Sequence, residues 1–275
     1  MLLTLTAIQA PAQDLRRPAT AESYGWHPGD TLIVIPARVV QVPPFTFAGM
    51  KGLRHVRFAE GSHCVKICQH AFAYCEDLET ITLPKDFTTF EEGCFRDCYK
   101  LRELDIPPGV WELPRSFAQN CESLRRVSLP KWLRNIRAHA FAGCTLLEDI
   151  TIPPDLREVS NNAFSGCASI RELHFPASVT LIDSYAFSDC TSLERLTLPA
   201  NMKPLGELIV SGCRNLREIS ELSRRPPSIE CESFLFDPDD AEAYTRCTLR
   251  VDPASLELYR RFHAWNLFRN IEPAK

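Results

Sequence analysis

No run of 18 or more apolar residues occurs in the 275-residue chain, so no helix of it is apolar for long enough to span a bilayer. An excess of basic charge is missing too. The 31 Lys and Arg stand against 35 Asp and Glu, for a formal net charge of −4 and a pI near 6.0. That excludes a dedicated nucleic-acid binder, which needs a basic field to neutralise phosphates. A Gly-rich phosphate loop, His-Glu-x-x-His and Gly-x-Ser-x-Gly are all absent, so the commonest sequence marks of phosphoryl transfer, zinc proteolysis and serine hydrolysis are not there. Apolar residues, at 45%, and charged residues, at 24%, are in ordinary globular proportion, which excludes wholesale disorder. Cysteine, by contrast, is plentiful. Twelve is many for a cytosolic protein and few for a disulfide-built miniprotein. Length alone allows one or two domains.

The first residues read MLLTLTAIQAPA. An apolar run from Leu2 to Ile8 precedes the small-residue pattern Ala10-Pro11-Ala12. Residues 1–12 therefore resemble a truncated secretory signal peptide that lacks its charged start. The expectation is an exported chain, secreted or at the cell surface, with a polar lead-in over 13–27. No lipid-attachment cysteine follows the signal-like segment.

The cysteines carry the clearest pattern. They stand at 75, 98, 121, 144, 167, 190 and 213, a step of 23 residues each time. Columns of like residues run through the units between them. Leu78, Leu101, Leu124, Leu147, Ile170 and Leu193 form one; Ile81, Leu104, Val127, Ile150, Leu173 and Leu196 the next. Leu83, Ile106, Leu129, Ile152, Phe175 and Leu198 follow, each with a proline after it. A later apolar pair, as in Leu133/Ile136, precedes an Ala-Phe pair such as Ala140-Phe141. Upstream, residues 31–50 keep the period with Met50 at the cysteine position, and 51–75 carries two extra residues. Downstream, Leu216 and Ile219 begin a unit that breaks at Arg224-Arg225-Pro226-Pro227.

A unit of this length cannot bury its own apolar face, but stacked units share a continuous core. The predicted fold is a mainly β solenoid. Each unit gives one short alternating strand that the proline ends, and stacking makes a parallel sheet. The segment around Leu133/Ile136 predicts a second extended run, and Ala-Phe-x-x-Cys a tight helical turn. Phe117 sits one residue early, which predicts a rebuilt turn there, and Leu208-Ile209-Val210 replaces the Ala-Phe turn in the last full unit.

The pattern LxxLxLP followed by hxxhxxxAFxxC, at a 23-residue step, resembles the BspA-like leucine-rich repeat family of secreted and surface-attached proteins, mostly bacterial. The tail CTLRVDPASLELYRRFHAWNLFRNIEP looks like that family's closing segment. The resemblance implies a solenoid over 28–222 with the sheet on its concave face and a small C-terminal cap over 223–275. It also implies a binding or adhesion role and no catalysis, and it names no ligand.

The sheet face is the expected docking surface, because solenoid curvature leaves it concave. Alternation along the strands turns a patch outward: Arg102, Glu103, Asp105, Arg125, Arg126, Ser128, Glu148, Asp149, Thr151, Arg171, Glu172, His174, Glu194, Arg195 and Thr197. The signs are mixed, so neighbouring units can pair their charges across the sheet. The expected partner is a protein, host or bacterial, outside the cell; the alternative is a structural spacer with no specific ligand. Carbohydrate binding is disfavoured because these columns hold no aromatic platform. His174 is the best general base on the face, but its column neighbours Thr151 and Thr197 are about 5 Å away at best and Ser128 about 10 Å by the same strand spacing. No enzyme activity, cofactor, metal or nucleic acid is expected, and the chain is expected to be a monomer.

The remaining candidates are cysteines, histidines and aromatics. Equivalent Cβ atoms on stacked strands lie about 4.8 Å apart, beyond the roughly 3.8 Å of a disulfide, so the seven-cysteine column reads as buried free thiols. His63, Cys64, Cys68 and His70 are four metal-ligand types in eight residues, but not in a standard zinc spacing. Cys64 and Cys68 could equally be a disulfide or core, and Cys231 with Cys247 a disulfide or not. Trp111 and Trp132 flank core positions of adjacent units, where packing is favoured over an exposed patch. Tyr259, Phe262, Trp265 and Phe268 read as cap packing over the last unit.

Overall fold

The computed structural model describes residues 20–200, 202, 204–229, 235–240 and 242–274. The signal-like residues 1–12 lie outside them. The chain coils into a parallel β-solenoid whose turns repeat every 23 residues, with Arg126 opposite Glu103 and Asn135 opposite Glu112. Two extra residues shift the register to 25 where His55 meets Thr80.

The first sheet takes one strand from each turn. It is hydrogen-bonded in three runs: Leu32–Ile35, His55–Phe58 and Thr80–Thr82; then Glu103–Asp105, Arg126–Ser128 and Asp149–Ile150; then Glu172–His174, Arg195–Leu198, Glu218–Glu221, Thr248–Val251 and Asn270–Pro273. The last two strands belong to the C-terminal segment, so the sheet continues into the cap. The second sheet is made of two-residue strands such as Glu112–Leu113, Asn135–Ile136, Glu158–Val159 and Leu181–Ile182. Between the sheets each proline lacks an amide, which ends the strand, but its carbonyl accepts from the amide three residues on. Leu133 donates to Pro130 and Leu156 to Pro153 at 3.1 and 3.2 Å.

The Ala-Phe-x-x-Cys piece of each unit is a run of turns bracketed by two left-handed residues. The first column is Phe45, His70, Gly93, Ser116, His139, Asn162, Tyr185 and Leu208. The second is Gly49, Tyr74, Asp97, Asn120, Gly143, Gly166, Asp189 and Gly212. Gly, Asn and Asp fill most of the second because they carry positive φ at least cost. These turns stack through their backbone. Alternate amides donate to the following unit, as Ser116 to Ala138, Ala118 to Ala140 and Asn120 to Ala142 at 2.9, 2.8 and 2.7 Å.

That third ladder explains why Phe117 does not rebuild its turn. Ser116 and Asn120 keep the left-handed conformations, and Phe95 still donates to the carbonyl of residue 117 at 3.0 Å. Only the ring enters the core from one residue earlier, meeting Phe95 and Phe141 edge-on at 5.6 and 6.0 Å. Leu208-Ile209-Val210 likewise keeps the backbone path. The core is a stack in which Phe47, Phe72, Phe95, Phe117, Phe141, Phe164 and Phe187 are all fully buried. Burying one such ring is worth about 1.5–3 kcal/mol.

The seven column cysteines are buried and unbonded. Each thiol donates to the carbonyl three positions before the preceding unit's own cysteine: Cys98 to Phe72, Cys121 to Phe95, Cys144 to Ala118 and Cys213 to Phe187, all at 3.1–3.2 Å. A cysteine therefore packs as a small apolar residue and also satisfies a main-chain acceptor. Burial pushes the Cys75 and Cys144 thiols up to about 12.

Both ends of the stack are closed. Inside the segment read as a polar lead-in, the short turn Ala21–Tyr24 lays Tyr24 against Phe47 with ring centroids 5.2 Å apart. At the other end Asp252 caps a short helical segment by accepting from the Ala254 amide at 2.8 Å. Trp265 is fully buried and its indole N–H donates to the Pro227 carbonyl at 2.8 Å. Tyr259 is also buried, and its hydroxyl donates to the Ser223 carbonyl at 3.2 Å. Phe268 stacks on Trp265, but Phe262 is 37% exposed and takes no part in the ring cluster, correcting its placement in the cap core.

A carboxylate interrupts the core beside this cap. Glu221 occupies the inward column that holds Leu198 one strand before and Val251 one strand after. It is fully buried, its carboxylate accepts from the Ser223 amide and hydroxyl, and burial lifts its pKa to about 7.

Candidate functional site

The fifteen residues expected on the sheet face are all exposed or half-buried. Alternation places them there: Leu104, Val127, Leu173 and Leu196 turn into the core, and their chain neighbours turn out.

The outward charges meet one another. Arg126 spans one strand to bind Glu103 at 2.7 Å and Asp105 at 3.0 Å. Arg195 binds Glu172, and Arg125 reaches Glu148 at 3.4 Å. Arg171 pairs with Glu194 at 3.3 Å, and Arg102 with Glu79 of the preceding unit at 3.0 Å. The Glu103 hydrogen bond holds the Arg126 guanidinium above its ordinary pKa, and Arg195 holds the Glu172 carboxyl below the usual carboxylate range. His174 shares a hydrogen bond with the Thr197 hydroxyl at 2.9 Å through Nδ1 and lies 3.4 Å from Glu172 through Nε2. Those partners orient the imidazole, and neither places an activated nucleophile beside it. Ser128, Asp149 and Thr151 remain. They line a shallow depression with Arg126, Lys131 and Pro154.

The pairing extends beyond the expected patch. Arg250 in the cap joins Glu218 and Glu272, one on each neighbouring strand. On the second sheet Arg137 bridges Glu112 and Glu158, both at 2.8 Å. The sequence signal is an opposite charge about one repeat away, except between Arg250 and Glu218, which are 32 residues apart.

The cysteine and histidine cluster does not converge. Cys64 and Cys68 are buried free thiols, His63 is exposed, and His70 sits half-buried near the Phe45 ring. Among the described residues no group of three or more His, Cys, Asp or Glu is arranged to hold a metal ion. Cys247 is a buried free thiol, and Cys231 lies outside the described residues.

Trp111 and Trp132 depart furthest from expectation. They are 55% and 66% exposed, not packed. Both lie at the corner after the first sheet, where the chain turns toward the second. There the side chains that point inward are their neighbours Val110 and Leu133, fully or almost fully buried. Neither indole contacts another aromatic ring among the described residues.

Comparison with known proteins follows the same outline. A family model described as a BspA type leucine-rich repeat region matches residues 30–131 and 112–234, with six copies. Among solved structures, a leucine-rich repeat protein from Bacteroides ovatus aligns with TM-score 0.56 and 20% identity, over 88% of this chain and 72% of that one. The T. pallidum leucine-rich repeat protein aligns with TM-score 0.53 and 24% identity, over 93% of this chain and 98% of that one. At those identities the likeness is one of fold. No curated protein matches the chain. Among the described residues no helix is long and apolar enough to cross a membrane.

Proposed function

We infer, because the chain belongs to the BspA type leucine-rich repeat family, that it is a non-enzymatic binding module, exported to the cell surface or medium, that docks a protein on its first sheet. The observation that supports this reading is the division of labour along each strand. The core column is buried at Leu104, Val127, Leu173 and Leu196 and half-buried at Ile150, whereas the outward columns are polar and bear no packing load. Such a face is free to be shaped by a partner. Its ion pairs are exposed and each contributes little, so a partner can exchange them one by one. The candidate contacts are Arg102, Glu103, Asp105, Arg125, Arg126 and Ser128, continuing through Glu148, Asp149, Thr151, Arg171, Glu172, His174, Glu194, Arg195 and Thr197. The working unit is a monomer, with residues 28–222 as the solenoid and 223–275 as its cap.

A spacer without a specific ligand is the second reading, and the mutual pairing of the face charges favours it. The two separate in one experiment. Purified chain is used to capture individual extracellular host proteins and bacterial surface proteins, and the capture is repeated with Arg102, Arg125 and Arg126 all changed to Glu. Docking on the sheet requires a partner whose binding weakens and loses part of its salt dependence, with the melting temperature little changed. Capture that is indifferent to this variant refutes sheet-face docking, and no saturable binding to any of the panel leaves the spacer.

A further inference from the structure

The corner carrying Trp111 and Trp132 differs from the sheet face in charge as well as in exposure. The arginines on the face from Arg102 to Arg195 have acidic partners. At the corner, Lys131, Arg134 and Arg157 are exposed, and their side chains make no ion pair or hydrogen bond with any described residue. They are also lined up. The Arg134 amide donates to the Trp111 carbonyl at 2.8 Å, and the Arg157 amide to the Arg134 carbonyl at 2.7 Å. Trp111, Arg134 and Arg157 are therefore consecutive rungs of one row, with a spacing of about 4.8 Å. Lys131 and Trp132 directly precede that row. Glu112 and Glu158 adjoin the row in sequence, but Arg137 takes both; Asp155 makes no ion pair with a described residue. With Arg137 and its two glutamates included, four cations stand against three carboxylates, which leaves the corner positive on a chain that is negative overall.

We propose that this corner binds an acidic polysaccharide, its sugar rings stacking on Trp111 and Trp132 and its carboxylates or sulfates held by Lys131, Arg134 and Arg157. An exposed indole presents a flat, polarisable face that suits the C–H face of a pyranose, and unpartnered guanidinium groups suit planar oxyanions. An acidic peptide shares the charge but lacks a seat. The carbonyls of Trp111 and Arg134 are already bonded to the next unit, so there is no free strand edge for it to extend. This site is separate from the sheet face and can fail without affecting the reading proposed above.

Heparin, which carries both sulfate and carboxylate groups, is the probe. Its binding is followed by calorimetry and by tryptophan fluorescence, with neutral dextran and poly-glutamate as comparison ligands. The expected result is saturable heparin binding, no dextran binding and weaker poly-glutamate binding. Trp111→Ala with Trp132→Ala should weaken heparin at least tenfold, and Trp111→Phe with Trp132→Phe should restore most of it. Lys131→Ala, Arg134→Ala and Arg157→Ala together should remove binding and its salt dependence. All substituted side chains are exposed, and unchanged melting checks each fold. The sheet-face variant at Arg102, Arg125 and Arg126 should leave heparin binding intact. The proposal is overturned if heparin does not bind, if binding ignores both corner sets, if dextran binds as well, or if poly-glutamate depends equally on the two tryptophans.

Discussion

Replacing Glu221 by glutamine should flatten the pH dependence of the C-terminal end of the solenoid. In the folded chain the carboxyl is fully buried between the columns of Leu198 and Val251, and it titrates at about 7 against an ordinary 4.5. Among the described residues its hydrogen-bond partner is Ser223. The charged side chains on the same and adjoining strands, Arg195, Glu218 and Arg250, lie on the outward face. At about 1.4 kcal/mol for each tenfold change in proton affinity, ionised Glu221 disfavours the fold by about 3 kcal/mol. The sign follows from which state holds the proton. Below pH 4.5 both folded and unfolded chains are protonated and the group is neutral in effect. Between 4.5 and 7 the unfolded chain loses its proton first, so stability falls as pH rises. Above 7 the loss is complete and constant. The assay is urea denaturation of parent and Glu221→Gln from pH 4.5 to 8.5, with hydrogen exchange of residues 242–274 to localise the change. The difference between the two proteins should shift in favour of glutamine by about 3 kcal/mol across that range. Any constant offset from the amide cancels in that comparison, as do the carboxylates held low by partners, such as Asp77 and Glu91. A difference that does not vary with pH would refute the reasoning, since it would mean that the carboxyl is solvated or paired in solution.

Other expectations rest on other parts of the fold. Denatured protein without reductant should titrate at least the seven column thiols, and native protein should label slowly, because each thiol is buried and tied to a carbonyl; fewer than seven would show disulfides that the strand spacing forbids. Trp265→Ala should cost about 3–5 kcal/mol and show first as exchange in 242–274, because stability in a solenoid is a nearest-neighbour sum; unchanged melting would remove its sealing role. Cys144→Val should lose about 0.5–1.5 kcal/mol, since the Ala118 carbonyl keeps its place but loses the thiol donor; a gain in stability would show that the bond contributes nothing.

The solenoid was legible because its cause is periodic. A residue type that recurs every 23 positions reports a shared environment, and the Leu, Pro, Phe and Cys columns each recur. The left-handed turns were legible in principle. Asp97, Asn120, Gly143, Gly166, Asp189 and Gly212 all precede a column cysteine, which is the residue choice that positive φ favours. The same column also holds Tyr74, and the other left-handed column mixes Phe45, His70 and Leu208, which hides the signal. The charge pairs on the sheet face follow from opposite signs one repeat apart, as in Arg195 and Glu172. The exposure of Trp111 and Trp132 did not follow from the pattern. Each stands alone in a column of dissimilar residues, where neither burial nor exposure is enforced by its neighbours. Glu221 shows the opposite failure: its column predicts an apolar side chain, and only the adjoining cap reveals the serine that satisfies it.

The stacked turns give each unit a one-way set of peptide dipoles. In an ordinary sheet the peptide groups alternate and their dipoles largely cancel. Here the interunit bonds of the turn column point one way. The amides of residues 70, 72 and 74 donate forward to 92, 94 and 96, and the pattern persists until Val210 donates to Leu235. Aligned peptide dipoles add, as they do along a helix, but with the amide end toward the C-terminus rather than the N-terminus. The second sheet runs the other way: Arg134 donates back to Trp111, Arg137 to Leu113 and Arg157 to Arg134, so its dipoles oppose those of the turns. A stack of nearly identical units thus carries two opposed one-way ladders rather than one macrodipole, and growth by further units adds to both alike.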